Sequence, residues 1–369
     1  MIYTDPRKTP LLMPNGTYSI LSFAGDIVDD QHQPVPLSKV YDHHWIALNS
    51  VHHNQICHEE YVFGIGAESR NNPQVLPAGY GYLVDSPKVT WSANIHLLRT
   101  EGLKGDNPQK AAKECNECYY APTKGAECTP KHNGTFQCCG EKDFKGVASC
   151  PTKLVHPPEA NYYLRYQVQY TRDTSSVKPI IISIATAPDC AAFYDVLRND
   201  DQPERADTYE YTVPKRATVL YAVGHQHTGA LNISMYVNGK RTCTSYPTYG
   251  TQVDVPGNES GYLVKMSLCI DESTGPLHLQ KGDVVKIESW YYVGSNDPRV
   301  AYSDGTHLNV MGYMYLAYVG GSGTSSEEEV LGQFQPRAAL PHKWYSSEVR
   351  GTTAYYKVPE TTIPDIVSS

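Results

Sequence analysis

The dipeptide Asn238-Gly239 restricts the fold of this chain more than any other feature. It lies between two runs of apolar and β-branched residues, where Asn-Gly is the strongest short signal for a hairpin, because both central residues of a type I′ turn need positive φ. The run that leads to it, Val219-Leu220-Tyr221-Ala222-Val223-Gly224-His225-Gln226-His227, is β-rich and carries two histidines at i and i+2. Side chains alternate along a strand, so both imidazoles face one side, close enough to share a metal ion. His225 and His227 are therefore a candidate half-site. The competing structural reading is a pair of surface or hydrogen-bonded histidines.

The 28 Gly, 26 Pro and 29 Tyr, with few long helix-forming runs, extend the β reading to the whole chain. A length of 369 residues suggests two domains, or one large β structure with insertions. The net charge of −8 is spread along the chain and leaves no basic patch for nucleic acid or anionic lipid. Ten cysteines occur with four N-glycosylation sequons, at Asn15, Asn133, Asn232 and Asn258. Together they imply an oxidising, glycosylating compartment, hence a secreted, extracellular or cell-wall-associated protein bearing N-linked glycans. No apolar run has transmembrane length, and residues 1–4 do not read as a signal peptide, so the sequence is expected to begin near a processed end.

The expected architecture is all-β, with two jelly-roll-like β-sandwich domains. The first spans residues 1–178 and contains a disulfide-rich insertion at about 101–156. The second spans 179–320, and 321–369 form a linker and extended tail. In the first domain, Val40-Tyr41-Asp42-His43-His44-Trp45 begins a strand with adjacent histidines. Neighbours on a regular strand point to opposite faces, so both reach one site only if the backbone twists or bulges. His96 lies on a later strand candidate, residues 90–98, and is the available third partner, although an isolated histidine there also reads as a half-buried core residue. His52, His53 and His58 read as loop histidines. The insert holds Cys115, Cys118, Cys128, Cys138, Cys139 and Cys150, read as disulfides rather than a zinc knot, with fifteen connectivities open. Cys243 and Cys269 could pair, whereas Cys57 and Cys190 have no obvious partner. A boundary falls near Thr174-Ser175-Ser176. After the linker, residues 352–358 form a β-prone piece that packs on its own domain or adds to the sheet edge of a neighbour.

Near the end of the second domain, Met311 and Met314 follow His307. A thioether beside two imidazoles selects copper, Cu(I) in particular, over zinc or calcium, although methionine in a β core usually only packs. With His225-Gln226-His227, the Asn-Gly turn and Lys281-Gly282-Asp283, this segment resembles the copper type II, ascorbate-dependent monooxygenases, the peptidylglycine α-hydroxylating and dopamine β-monooxygenase group. The resemblance implies copper ligation by His225, His227 and Met311, with Met314 as an alternative thioether and His307 in a supporting role. It also implies a second, electron-relaying copper on His43 and His44 with a histidine from a later strand. Tyr166-Gln167-Val168-Gln169-Tyr170 looks like that strand and carries Gln169 where the histidine should be, so the second site would rest on His96. Over most of residues 15–320 the chain is more similar still to the stress-up-regulated nodulin family of plants and related eukaryotes, through Tyr41-x-His43-His44-Trp45, Asn94-Ile95-His96, Cys115-x-x-Cys118, Cys138-Cys139 and Tyr163-Leu164-Arg165-Tyr166.

The expectation is a secreted protein with one or two copper ions that hydroxylates a C–H bond of an unknown small-molecule or peptide substrate, using oxygen and ascorbate, with His225, His227 and Met311 catalytic. The rival is a glycosylated structural or filament-forming protein with a vestigial metal site, polymerising through its C-terminal tail. A sugar-binding module using exposed tyrosines is a third possibility.

Overall fold

The computed structural model of the chain describes residues 10–52, 55–57, 60–85, 88–99, 160–194, 196, 199–294 and 310–320, and the backbone of short or terminal strands at 2–3, 115–117, 136–138 and 349–358. Among these residues there is no α-helix, only the 3-10 turns Ser69–Asn71 and Thr174–Ser176. The all-β expectation holds. The side chains of the six insert cysteines lie outside the described residues, as do Asn133, His53, His58 and His307.

The Asn238-Gly239 hairpin forms between Ala230–Val237 and Lys240–Ser245, with φ of 48° at Asn238 and 78° at Gly239. Both central residues thus take the left-handed conformation that a type I′ turn requires. The hairpin belongs to a sheet in which Val284–Tyr292 pairs with both Ala230–Val237 and Glu204–Thr212. Facing it is a second sheet in which Gly312–Gly320 pairs with both Ile181–Thr186 and Ala217–Gln226. The Gln226 amide donates to Ser289 Oγ at 2.9 Å from one sheet to the other. The strand Glu204–Thr212 alternates between exposed and half-buried positions, and its polar pattern gives no apolar signal in the sequence.

The other sandwich pairs Val40–Asn49 with Trp91–Arg99 and Tyr61–Ile65 on one face. Its second sheet is built on Tyr18–Val28, flanked by Tyr162–Thr171 and Tyr80–Val84. Rings from the two faces meet in the centre: Phe23 lies 5.0 Å from Phe63 and 5.4 Å from Trp45, centroid to centroid. The C-terminal strand Val349–Val358 pairs antiparallel with Tyr162–Thr171 of this same chain, completing the sheet edge.

One apolar core runs through both sandwiches. Around it, three features hold the halves together. Cys57 and Cys190, for which the sequence offered no obvious partners, form a disulfide across a separation of 133 residues, and the Cys57 N–H donates to Ile184 O at 3.1 Å. The segment following Glu68 reaches across: the Asn72 amide makes paired 2.8 Å hydrogen bonds to the backbone C=O and N–H of Met266. Arg70 joins Asp26 of the first sandwich to Glu259 of the second, at 2.7 and 3.0 Å. Cys243 and Cys269 also pair, between two strands of the second half.

Candidate metal centre between the sandwiches

Val40–Asn49 is buried along its whole length. Its pairing with Trp91–Arg99 runs Asp42↔Leu97 and then His44↔His96, with a register shift that leaves His43 as an extra residue. This is a β-bulge, and a bulge lets two successive side chains serve one side of a strand. His43, His44 and His96 consequently form one group, in which one ring nitrogen from each lies within 4.8 Å of the others. The Nδ1 atoms of His43 and His96 are 2.9 Å apart.

From the other sandwich, Ala217–Gln226 delivers His225, opposite Tyr313, and His227 follows one step beyond the last paired residue. Their rings are 5.2 Å apart, and the His227 ring lies 4.2 Å from that of His43. Five imidazoles, each no more than 7% exposed, therefore meet at the junction of the two sandwiches. The register also separates the two methionines. Met314 pairs with Gly224 and points to the face opposite His225, whereas Met311 lies one residue before the strand Gly312–Gly320, beyond its last paired residue. The Tyr291 hydroxyl receives the His227 N–H and donates to Met311 O, both at 2.7 Å, which ties the two backbones through one oxygen.

Gln169 has no part in this group. It projects from the outer side of Tyr162–Thr171, in the opposite sheet, where its Oε1 accepts from Ser22 Oγ at 3.0 Å. The strand that carries Gln169 therefore does not supply this site, and the third imidazole beside His43 and His44 is His96, the partner that the sequence offered. Spacing along a strand cannot report which of two sheets a strand joins.

One residue of the site is absent from the sequence reading. Glu68 is fully buried, and its Oε1 lies 2.5 Å from His225 Nδ1, while Oε2 accepts the Gly66 N–H at 3.3 Å. A carboxylate on Nδ1 fixes the tautomer with the proton on that nitrogen and turns the Nε2 lone pair inward, the arrangement that orients metal-binding histidines. Gly66 makes the approach possible, since a Cβ there would stand 2.3 Å from His43 O and 3.1 Å from His225 Cε1. A lone acid in a loop of irregular backbone has no periodic signal, so nothing in the spacing singled it out.

Burial pushes His43 and His44 well below the usual imidazole range, reinforced by the neighbouring imidazoles, and pushes His96 down to about 3. All three are neutral at physiological pH, the form that ligates metals. Burial, with the charges of Glu68 and Asp26, holds the Asp42 carboxyl well above its usual range. Among the buried ring nitrogens, His43 Nε2, His44 Nδ1 and His225 Nε2 have no hydrogen-bond partner. Leaving buried polar atoms unsatisfied costs about 1–3 kcal/mol each. The donor set suits a d-block cation that accepts imidazole.

The family model described as Stress up-regulated Nod 19 matches residues 49–319. The chain belongs to that family. The span matched by the Stress up-regulated Nod 19 model includes Glu68, His96, His225, His227 and Met311, and starts after His43 and His44. No curated protein matches the chain. Solved structures similar to it include an infectious bursal disease virus VP2 subviral particle, at 10% identity and a TM-score of 0.22, covering 96% of this chain and 80% of that one. Another is the latent PorU of Porphyromonas gingivalis, at 9% identity and a TM-score of 0.20, covering 83% and 24%. A third is the family 86 β-porphyranase of the human gut bacterium Bacteroides plebeius, at 10% and 0.15, covering 84% and 38%. Similarities at this level carry no argument about this Stress up-regulated Nod 19 chain.

Proposed function

We propose that this chain is an extracellular copper protein whose metal binds in the histidine group between the sandwiches, and that it carries out oxygen chemistry resembling that of the type II copper monooxygenases. The observation that supports it best is the convergence of His43, His44, His96, His225 and His227, all buried, with three ring nitrogens lacking any other partner. His225 would bind through Nε2, with its other nitrogen held by Glu68. His227 would bind beside it, with Met311, whose backbone Tyr291 ties to that of His227, as the thioether. His43, His44 and His96 would hold metal on the facing side. Copper there would supply one-electron redox steps to oxygen, with ascorbate as the external reductant. The protein residues bind, exclude bulk water and keep the imidazoles neutral, while Glu68 retains its proton-bearing partner at His225 Nδ1. Two disulfides, and no helix among the described residues long and apolar enough to cross a membrane, are compatible with that compartment.

Elemental analysis of the natively purified protein is expected to find copper at one or two ions per chain, with oxygen uptake in the presence of ascorbate that falls at least tenfold in His225→Ala. Uptake unchanged by that substitution removes the oxygenase reading.

A second reading has one observation in its favour. The imidazoles come from both halves of the molecule and are almost fully enclosed, so a bound ion would also fasten the sandwiches together. A glycosylated structural protein with such an ion would show a metal-dependent rise in melting temperature and no oxygen uptake.

A further inference from the structure

The two histidine groups touch at the His43 ring. His43 Nδ1 lies 2.9 Å from His96 Nδ1, on the His44/His96 side, and the His43 ring is 4.2 Å from that of His227 on the other. His43 is 2% exposed, and its Nε2 has no hydrogen-bond partner. A neutral imidazole carries one proton and one lone pair. Whichever tautomer His43 adopts, one ring nitrogen faces His96 and the second is left over. A single ion on the His44/His96 side satisfies Nδ1 and leaves Nε2 as a buried, unmatched donor. An ion on the His225/His227 side leaves the reverse problem. An ion on each side gives both nitrogens a partner.

We propose that His43 is a bridging ligand: as an imidazolate it joins two metal ions, one shared with His44 and His96 and the other with His225 and His227. Binding of the second ion releases the remaining His43 ring proton to solvent, with no change in oxidation state. The proposal rests on the copper reading above and goes further, because two separately held ions would satisfy that reading equally well.

The test uses the full chain freed of metal and titrated with copper(II), followed by equilibrium dialysis and electron paramagnetic resonance. The expected result is two copper ions per chain, with loss of the isolated-ion spectrum as the second binds. Replacing one copper by zinc(II), which is diamagnetic, should restore an isolated spectrum in the unaltered protein, so the outcome does not depend on a variant that fails to fold. Two ions with additive, independent spectra overturn the bridge and leave the copper reading standing, as does saturation at one ion. Binding of no copper overturns both.

Discussion

Glu68 contributes through one contact. Its carboxylate holds His225 at Nδ1, and it can do so because Gly66 lets the loop pass against the His43 carbonyl. Carboxylates behind metal-binding histidines typically contribute 10- to 100-fold to affinity. Glu68→Gln, similar in shape but without the charge, is therefore expected to weaken copper binding by about 10- to 100-fold, as read by competition with a chelator of known affinity. Unchanged affinity would reduce Glu68 to a packing residue. The imidazoles themselves set a pH dependence. In the unfolded chain a histidine titrates near about 6.5, whereas burial lowers His43, His44 and His96, the last to about 3. Below about pH 6.5 the unfolded state binds more protons at these positions, so their contribution to stability is complete above that pH and is lost as pH falls through the folded values. Asp42 opposes this, since its raised value favours the protonated folded form, but three histidines act against one carboxyl. Thermal melts of the metal-free protein should show a midpoint that declines steadily from pH 7 to pH 4.5. A flat profile would mean that these rings are open to water.

Among the elements, two short irregularities carry the site. The bulge at His43 turns an adjacent pair into two side chains with one destination, which a regular strand could not do. The connection through Ser69–Asn71 and Asn72 spans the two sandwiches, with Arg70 and Asn72 each bonded to the second half. Asn72 binds both backbone polar groups of Met266 while buried. Asn72→Ala leaves a buried N–H and a C=O without partners and is expected to cost about 2–4 kcal/mol of unfolding free energy in a denaturant titration. It should also weaken copper binding, because the His43/His44/His96 group and the His225/His227 pair would be held less firmly. Much of this level was legible beforehand: the strands at Val40–Asn49 and Ala217–Gln226 follow from their β-branched and aromatic content, and the hairpin from Asn238-Gly239. The bulge was foreseeable only as a condition, since whether a ladder skips a residue depends on the partner strand.

For the molecule as a whole, the centre exists only while the sandwiches stay docked. The Cys57–Cys190 disulfide closes a loop with a separation of 133 residues between the two halves. In the chain-entropy view, a cross-link over a loop of roughly 100 residues contributes about 4–5 kcal/mol by restricting the unfolded chain. Replacing both cysteines by serine should lower the unfolding free energy by up to about that amount, and because the histidine groups are then held together less firmly, metal binding should protect against unfolding less than it does in the cross-linked protein. Equal protection in both forms would show that docking does not depend on the link.

Local chemistry in the sequence determined the all-β class, the hairpin, the cysteine pair at 243 and 269, and the histidines that could hold a metal ion. Those features depend on neighbours a few positions apart, through turn dihedrals, strand alternation and side-chain donors. Tertiary structure alone decided that Glu68 stands behind His225, that Cys57 meets Cys190, and that two expected half-sites meet at one ring. Each of these depends on which sheets face one another, and that is set by the packing of both sandwiches around a shared core, over separations that no local pattern encodes.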